Sequence, residues 1–246
     1  MADGFTAPRY AWDCTLSDGD VGRLANEIEQ KGYGVLEGYI GQQELEPIQA
    51  LARGAVDGNG GEYIAFTGSD EFIGTTLERL PRSGAFKILC QQLYEHSCKQ
   101  PAPPVEFYQI TRMLKGHTSR NHSYNFHYDS YVLTVLMPID IPASGLSGDL
   151  IIFPNKRPFR KNYLTNLADK LFMENALVQR HFLDKAYKPD AGAVAIKMIP
   201  GNIYFFWGYR TLHTNEPCDP DKLRVTSLLH YGDPHEHSRL RALLRR

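Results

Sequence analysis

From residue 105 onward the chain is built of short runs rich in aromatic and β-branched residues: VEFYQITRML, YVLTVLMPI, DLIIFP, AVAIKMI, NIYFFW and LRVTSLLHY. Side chains of this kind fit a pleated, half-buried surface, and turn-forming stretches such as ASGLSGD and PGN separate the runs. The pattern predicts a mainly β fold with flanking helices, an antiparallel barrel or double-sheet jelly roll with the helices packed outside.

The first 104 residues read differently. Between Asp18 and Lys31, Val21, Leu24 and Ile28 recur at helical spacing behind an acidic first turn, and Gly32 is placed to end the helix. Residues 32–40, GYGVLEGYI, read as a strand. Leu45, Ile48, Leu51 and Ala55 mark a second helix before a Gly-rich break at residues 57–61, and a third is predicted over Ser83 to Cys98, stopped by PAPP at 101–104. No flexible linker divides the two halves, and a few helices alone make a weak core. The expected organisation is therefore a single domain of 246 residues: a helical buttress (1–104), a β-barrel core (105–232) interrupted by an insertion at 155–190, and a basic tail (233–246). Within the insertion, LTNLADKLFMENALVQRHFLDKA is helix-like, and basic residues outnumber acidic ones there. That excess suits either one wall of an anion-accepting site or a solvated surface helix, and the insertion itself suits a substrate lid or a subunit contact.

Charge and cysteine content narrow the partners. Lys plus Arg total 27 against 28 Asp plus Glu, a formal charge of -1, so nothing drives the chain as a whole toward nucleic acid or an anionic membrane. No window approaches the roughly 18 apolar residues of a membrane span, and MADGFTAPRY lacks the basic start and apolar core of a leader. The four cysteines form no CxxC pair. These features point to a cytoplasmic protein.

The chemistry concentrates in NFHYDSYVLTVL. His127 and Asp129 stand two apart at the mouth of a predicted strand, where i and i+2 side chains share a face. An H-x-D pair is common by chance, so its context matters. A third ligand is available in His213, just beyond the aromatic run NIYFFW. Two imidazoles and one carboxylate on one face of an octahedral ion leave positions open for other ligands. Eleven residues past His213 comes Arg224, sharing a strand face with Thr226. A guanidinium beside a hydroxyl is a good receptor for a carboxylate.

This ordered set resembles the Fe(II)/2-oxoglutarate-dependent dioxygenase superfamily. The matching elements are His127-Tyr128-Asp129, His213 and Arg224-Val225-Thr226. DSYVLTVL is similar to the continuation found in isopenicillin-N-synthase-like members, and the opening helix with GYGVLEGYIGQQEL resembles phytanoyl-CoA-dioxygenase-like members. The resemblance spans about residues 18–232. It implies a double-stranded β-helix, Fe(II) held by His127, Asp129 and His213, and 2-oxoglutarate bound through its distal carboxylate by Arg224 with Thr226. O2 is the second cosubstrate. Succinate and CO2 are the implied co-products, and hydroxylation of a small molecule, which could be anionic, is the implied outcome. The carboxylate of Asp129 argues against the halogenating relatives, which replace it. A polar residue from the strand before H-x-D often joins the cosubstrate site in the family. Tyr108 is the candidate here, although Tyr108 and Arg112 share one strand face, Gln109 takes the other, and the sequence leaves open which face is inward. Asn125, Lys115 and Arg120 are further candidates for the pocket, whereas Phe205, Phe206, Trp207 and Tyr209 read mainly as packing, and His117, His122 and the HEH at 235–237 as solvent-facing. Two rival readings stand beside the oxygenase: a metal-dependent isomerase or hydrolase that does not use O2, and a binding protein on the same barrel.

Overall fold

The computed structural model describes residues 16–160, 162–236 and 238. The basic tail beyond Ser238 and Cys14 lie outside them. The first helix forms as its sequence dictates. α1 (Asp18–Lys31) is capped by Ser17, whose Oγ accepts the amide of Asp20 at 3.2 Å. It ends at Gly32, whose φ of 87° allows its amide to close on the Ile28 carbonyl. α2 spans Gln42–Gly58 and buries Leu45, Ile48, Ala52 and Val56. After a one-turn α3 (Thr76–Arg79), α4 (Gly84–Cys98) is capped by Ser83 on the amide of Phe86.

The strands are β1 (Gly34–Leu36), β2 (Ile64–Thr67), β3 (Tyr108–Leu114), β4 (Leu133–Asp140), β5 (Leu150–Phe153), β6 (Val194–Ile196), β7 (Ile203–Phe206), β8 (Leu212–Asn215) and β9 (Arg224–Tyr231). They form two antiparallel sheets, one ordered β1-β7-β4-β9-β3-β2 and the other β6-β5-β8. Strand parity sorts the core into layers. Leu133, Val135, Met137 and Ile139 of β4, Ile203 and Phe205 of β7, and Val225, Leu229 and Tyr231 of β9 face the helices α1, α2 and α4. The opposite face supplies Leu136, Tyr204 and Phe206, which meet Leu150, Ile152 and Ile196 of the smaller sheet. On that sheet's far side, Ile151, Phe153 and Leu212 pack with Phe126 and with two further helices.

Those helices are α5 (Tyr163–Met173) and α6 (Ala176–Ala186), the insertion. The continuous helical pattern breaks at Asn175, whose side chain caps α6 through the amide of Leu177. The pair lies against the outer face of the smaller sheet and clamps the H-x-D segment from behind. Gln179 bonds both backbone groups of Phe126, and Lys170 reaches the Ser130 hydroxyl at 2.6 Å.

Three local readings change. The strand expected over 32–40 is only three residues long, because Glu37 and Gly38 turn and Gly38 donates its amide to the Asn202 side chain. Two four-residue strands, β2 and β8, were not foreseen. Leu51, expected on the buried face of α2, is 43% exposed. Among the described residues no helix is long and apolar enough to cross a membrane, and Cys90, Cys98 and Cys218 are free thiols.

Phe86 ties the helical layer to the large sheet: its buried ring lies 6.4 Å from Tyr39, 5.8 Å from Phe107 and 6.4 Å from Phe205, centroid to centroid. Phe86→Ala is expected to lower unfolding stability by about 3–5 kcal/mol, measured by denaturant titration.

Candidate metal centre

The ligand triad is assembled by backbone pairing. His127 does not sit in a regular strand as expected. It lies in an extended segment ahead of β4 and forms an isolated antiparallel bridge with His213, amide to carbonyl at 3.0 Å in one direction and 3.1 Å in the other. His213 lies beyond β7, as expected, and belongs to the next short strand, β8. The bridge sets the two rings 4.4 Å apart. Asp129 is fixed two residues on by its amide, which bonds the Gly208 carbonyl at 2.9 Å. One ligand atom from each of His127, Asp129 and His213 then lies within 4.8 Å of the other two.

Each imidazole is oriented by a carbonyl. His127 Nδ1 meets Asn125 O at 2.8 Å, and His213 Nδ1 meets Thr211 O at 3.0 Å. A carbonyl can only accept, so both Nδ1 atoms carry the proton and both Nε2 lone pairs are free for a metal. These Nε2 atoms stand 3.7 Å and 3.6 Å from the two Asp129 oxygens. The His127 imidazole is held below its usual range, first by burial and then by the neighbouring His213 ring. Burial alone would raise the Asp129 carboxyl. The His213, His230 and His127 rings and the Thr134 hydroxyl outweigh that and hold it well below the usual carboxylate range, so the group stands ionised. The centre presents two imidazole nitrogens and one anionic oxygen.

Behind the carboxylate is a relay the sequence reading missed. Thr134 Oγ1 donates its one proton to Asp129 Oδ2 at 2.5 Å, so its contact with His230 Nδ1 at 3.1 Å must be one in which the imidazole donates. His230 is buried. A signal for it existed: Arg224, Thr226, Leu228 and His230 share one parity on β9, and fixing one of them on the inner face fixes all four.

All six residues singled out from the sequence, His127, Asp129, His213, Arg224, Thr226 and Tyr108, line one cavity of about 320 Å³ between the two sheets. Arg224 is 2% exposed; its Nη1 donates to Thr226 Oγ1 at 3.3 Å, its Nη2 meets Met198 Sδ at 3.9 Å, and its Nε has no partner. Among the described residues no carboxylate lies within ion-pairing distance of it. Burial, reinforced by the nearby Arg112 charge and only partly offset by the more distant Asp149, pushes its pKa down to about 9, as for a desolvated cation with no carboxylate in contact. The open question of β3 parity is answered by the same cavity. Tyr108 and Arg112 face it, while Gln109 turns away and donates to the Leu77 carbonyl. Tyr108 stacks on Tyr131 at the His230 end of the wall, six residues along the strand from the position that pairs with Arg224.

Other candidates separate. Phe206 lines the cavity, whereas Phe205 and Trp207 pack in the core. Lys115 and Arg120 are not among the lining residues, and Asn125 contributes only its backbone carbonyl. His122 stacks on Tyr63, and His235, expected in solvent, is buried against the Tyr209 hydroxyl at 2.8 Å.

No family model and no curated protein sequence matches the chain. Solved structures do. A Trichoplax adhaerens prolyl hydroxylase in complex with a hypoxia inducible factor peptide fragment is 14% identical over 92% of each chain, with a TM-score of 0.59. A Pseudomonas putida prolyl-4-hydroxylase is 9% identical over 86% of this chain and 98% of its own, with a TM-score of 0.56. The epimerase SnoN from nogalamycin biosynthesis, in complex with Fe3+, alpha ketoglutarate and nogalamycin RO, is 16% identical over 88% of this chain and 85% of its own, with a TM-score of 0.53. At these identities the likeness is one of fold: two antiparallel sheets with flanking helices, shared with non-heme oxygenases.

Gly208 bounds the carboxylate so closely that a Cβ there would collide with Asp129 Oδ2 and Thr134 Oγ1. Gly208→Ala is expected to weaken Mn(II) binding about tenfold or more in a calorimetric titration, with the far-UV circular dichroism of the fold retained.

Proposed function

We propose that this protein is a non-heme Fe(II)- and 2-oxoglutarate-dependent oxygenase that hydroxylates a C–H bond of a small molecule. One observation carries the reading: a buried guanidinium with an unpartnered Nε shares a small cavity with a His-Asp-His donor set. A desolvated cation of this kind is stabilised by a carboxylate, and among the described residues none lies within ion-pairing distance of it.

The residues fit the implied groups. His127, His213 and Asp129 would hold Fe(II) through two nitrogens and one oxygen, a donor set matched to that metal with positions left open. Arg224, with Thr226 beside it, would take the distal carboxylate of the keto acid. When bound, Fe(II) and 2-oxoglutarate supply the oxidising power, the keto acid leaving as succinate and CO2 while one oxygen atom of O2 goes to the substrate. The chain does the rest. The carbonyls of Asn125 and Thr211 keep both imidazoles in the binding tautomer. Thr134 and His230 hold the Asp129 carboxylate in place. Leu136, Leu150, Phe206 and Leu228 wall the cavity with apolar surface and limit water near the reacting atoms. The kinship of fold with prolyl hydroxylases and with an epimerase carrying Fe3+ and alpha ketoglutarate supports the class.

Under argon, Fe(II) and 2-oxoglutarate added together should give a weak visible charge-transfer band that His127→Ala abolishes. Arg224→Met should leave metal binding in place and weaken 2-oxoglutarate binding about thirtyfold, equivalent to ~2 kcal/mol for an unpaired buried carboxylate. Succinate should form only when O2 is admitted; turnover that persists under argon with Zn(II) or Mn(II) would overturn the oxygenase reading in favour of a metal-dependent isomerase or hydrolase.

A further inference from the structure

The cavity holds a second cation that the keto acid does not account for. Arg112 projects from β3 into it, two ladder pairs from Arg224, because Arg112 pairs with Thr226 and Leu114 with Arg224. Its bonds are neutral and long: Nε to the Tyr63 hydroxyl at 3.4 Å and Nη2 to the His122 carbonyl at 3.3 Å. Among the described residues no carboxylate pairs with it. Unlike Arg224, which is nearly inaccessible, Arg112 is only half-buried, on the side of the cavity closed by the stacked rings of Tyr63 and His122.

Charge balance gives this position a meaning. Two guanidinium groups and a divalent ion on the triad would face the single carboxylate of Asp129 in this cavity. A dianionic keto acid cancels two of the three surplus positive charges and leaves one. The keto acid's distal carboxylate belongs to Arg224, the more desolvated cation, so the uncompensated charge resides on Arg112, the more exposed of the two. An unpaired cation in a low-dielectric cleft favours an anion over a neutral molecule of the same shape. Tyr63 stacked on His122 forms a flat wall beside it, and Tyr108 stacked on Tyr131 forms another at the His230 end.

We infer that the primary substrate is a small organic anion, a carboxylate or phosphate, whose charged group docks on Arg112 while its reacting carbon is presented to the metal. This rests on the oxygenase reading and names the substrate class of that site.

The test uses the full chain loaded with Mn(II) and 2-oxoglutarate under argon, titrated calorimetrically with acetate, benzoate and inorganic phosphate, and with benzyl alcohol as a neutral counterpart of benzoate. The expected result is a saturable second anion site that takes at least one of the three anions. Benzoate, if it binds, should do so about tenfold or more tighter than benzyl alcohol. Arg112→Met should remove the anion site and Arg112→Lys should restore part of it, each with 2-oxoglutarate affinity within twofold of the parent. Three results would overturn the inference alone: no second site for any of the anions, anion binding that only displaces 2-oxoglutarate, or an Arg112→Met variant that loses tenfold in 2-oxoglutarate affinity and so places Arg112 in the keto-acid clamp. Failure of the parent protein to bind 2-oxoglutarate at all would instead remove the oxygenase reading, and this inference with it.

Discussion

Two hydrogen bonds between His127 and His213 hold the site together. They pair the segment leading into the large sheet with an edge of the small one, flanked by the bond from the Tyr124 amide to the Asn215 carbonyl, and they join residues far apart in the chain. Because an antiparallel pair fixes the position of both Cβ atoms, backbone pairing alone sets the imidazoles side by side. Side-chain packing then has only to set ring rotation, which the Asn125 and Thr211 carbonyls accomplish. A centre built this way owes its geometry to the sheet framework rather than to loop conformation, which suits a site that must be ready before its ligands arrive.

The third ligand is held by a different economy. Asp129 is anchored at its amide by Gly208 and at its carboxylate by Thr134, and the missing side chain of Gly208 leaves the space in which both oxygens lie. His230 completes the arrangement by donating to the same hydroxyl, so two strands and one turn converge on a single carboxylate. On the far side of the cavity Gly148 plays a similar part, since a Cβ at that position would run into the Arg224 side chain. Glycine at both ends of the cavity is thus a matter of room for a charged group.

Much of this was legible in the sequence, for identifiable reasons. Helices α1 and α4 combine caps at Ser17 and Ser83 with a single buried stripe, so their bounds could be read nearly to the residue. Six strands were visible as aromatic and β-branched runs. β2 and β8 were not visible in this way; β8 is mostly polar, its histidine and threonine lining the site rather than the core. The H-x-D pair, His213 and Arg224 were legible through spacing and order. His230 and Thr134 were not, because each acts through another side chain, and such a role depends on which face of a strand is inward. The inward face of β3 was open for the same reason: Tyr108, Gln109 and Arg112 are all polar enough for either side, and only the register against β9 decides.

The end of α1 reaches further than its place in the buttress suggests. Glu29 accepts from the Trp207 indole at 3.1 Å and, with both oxygens, from the Arg210 guanidinium at 2.9 Å, and these residues bracket the turn whose carbonyl anchors Asp129. Trp207 follows Glu29 by 178 positions. During synthesis the first helix therefore emerges long before the turn it steadies, and Glu29 can make these bonds only after residues 207–210 have been added. The candidate donor set is complete only when His127 and Asp129 have met His213, added later still.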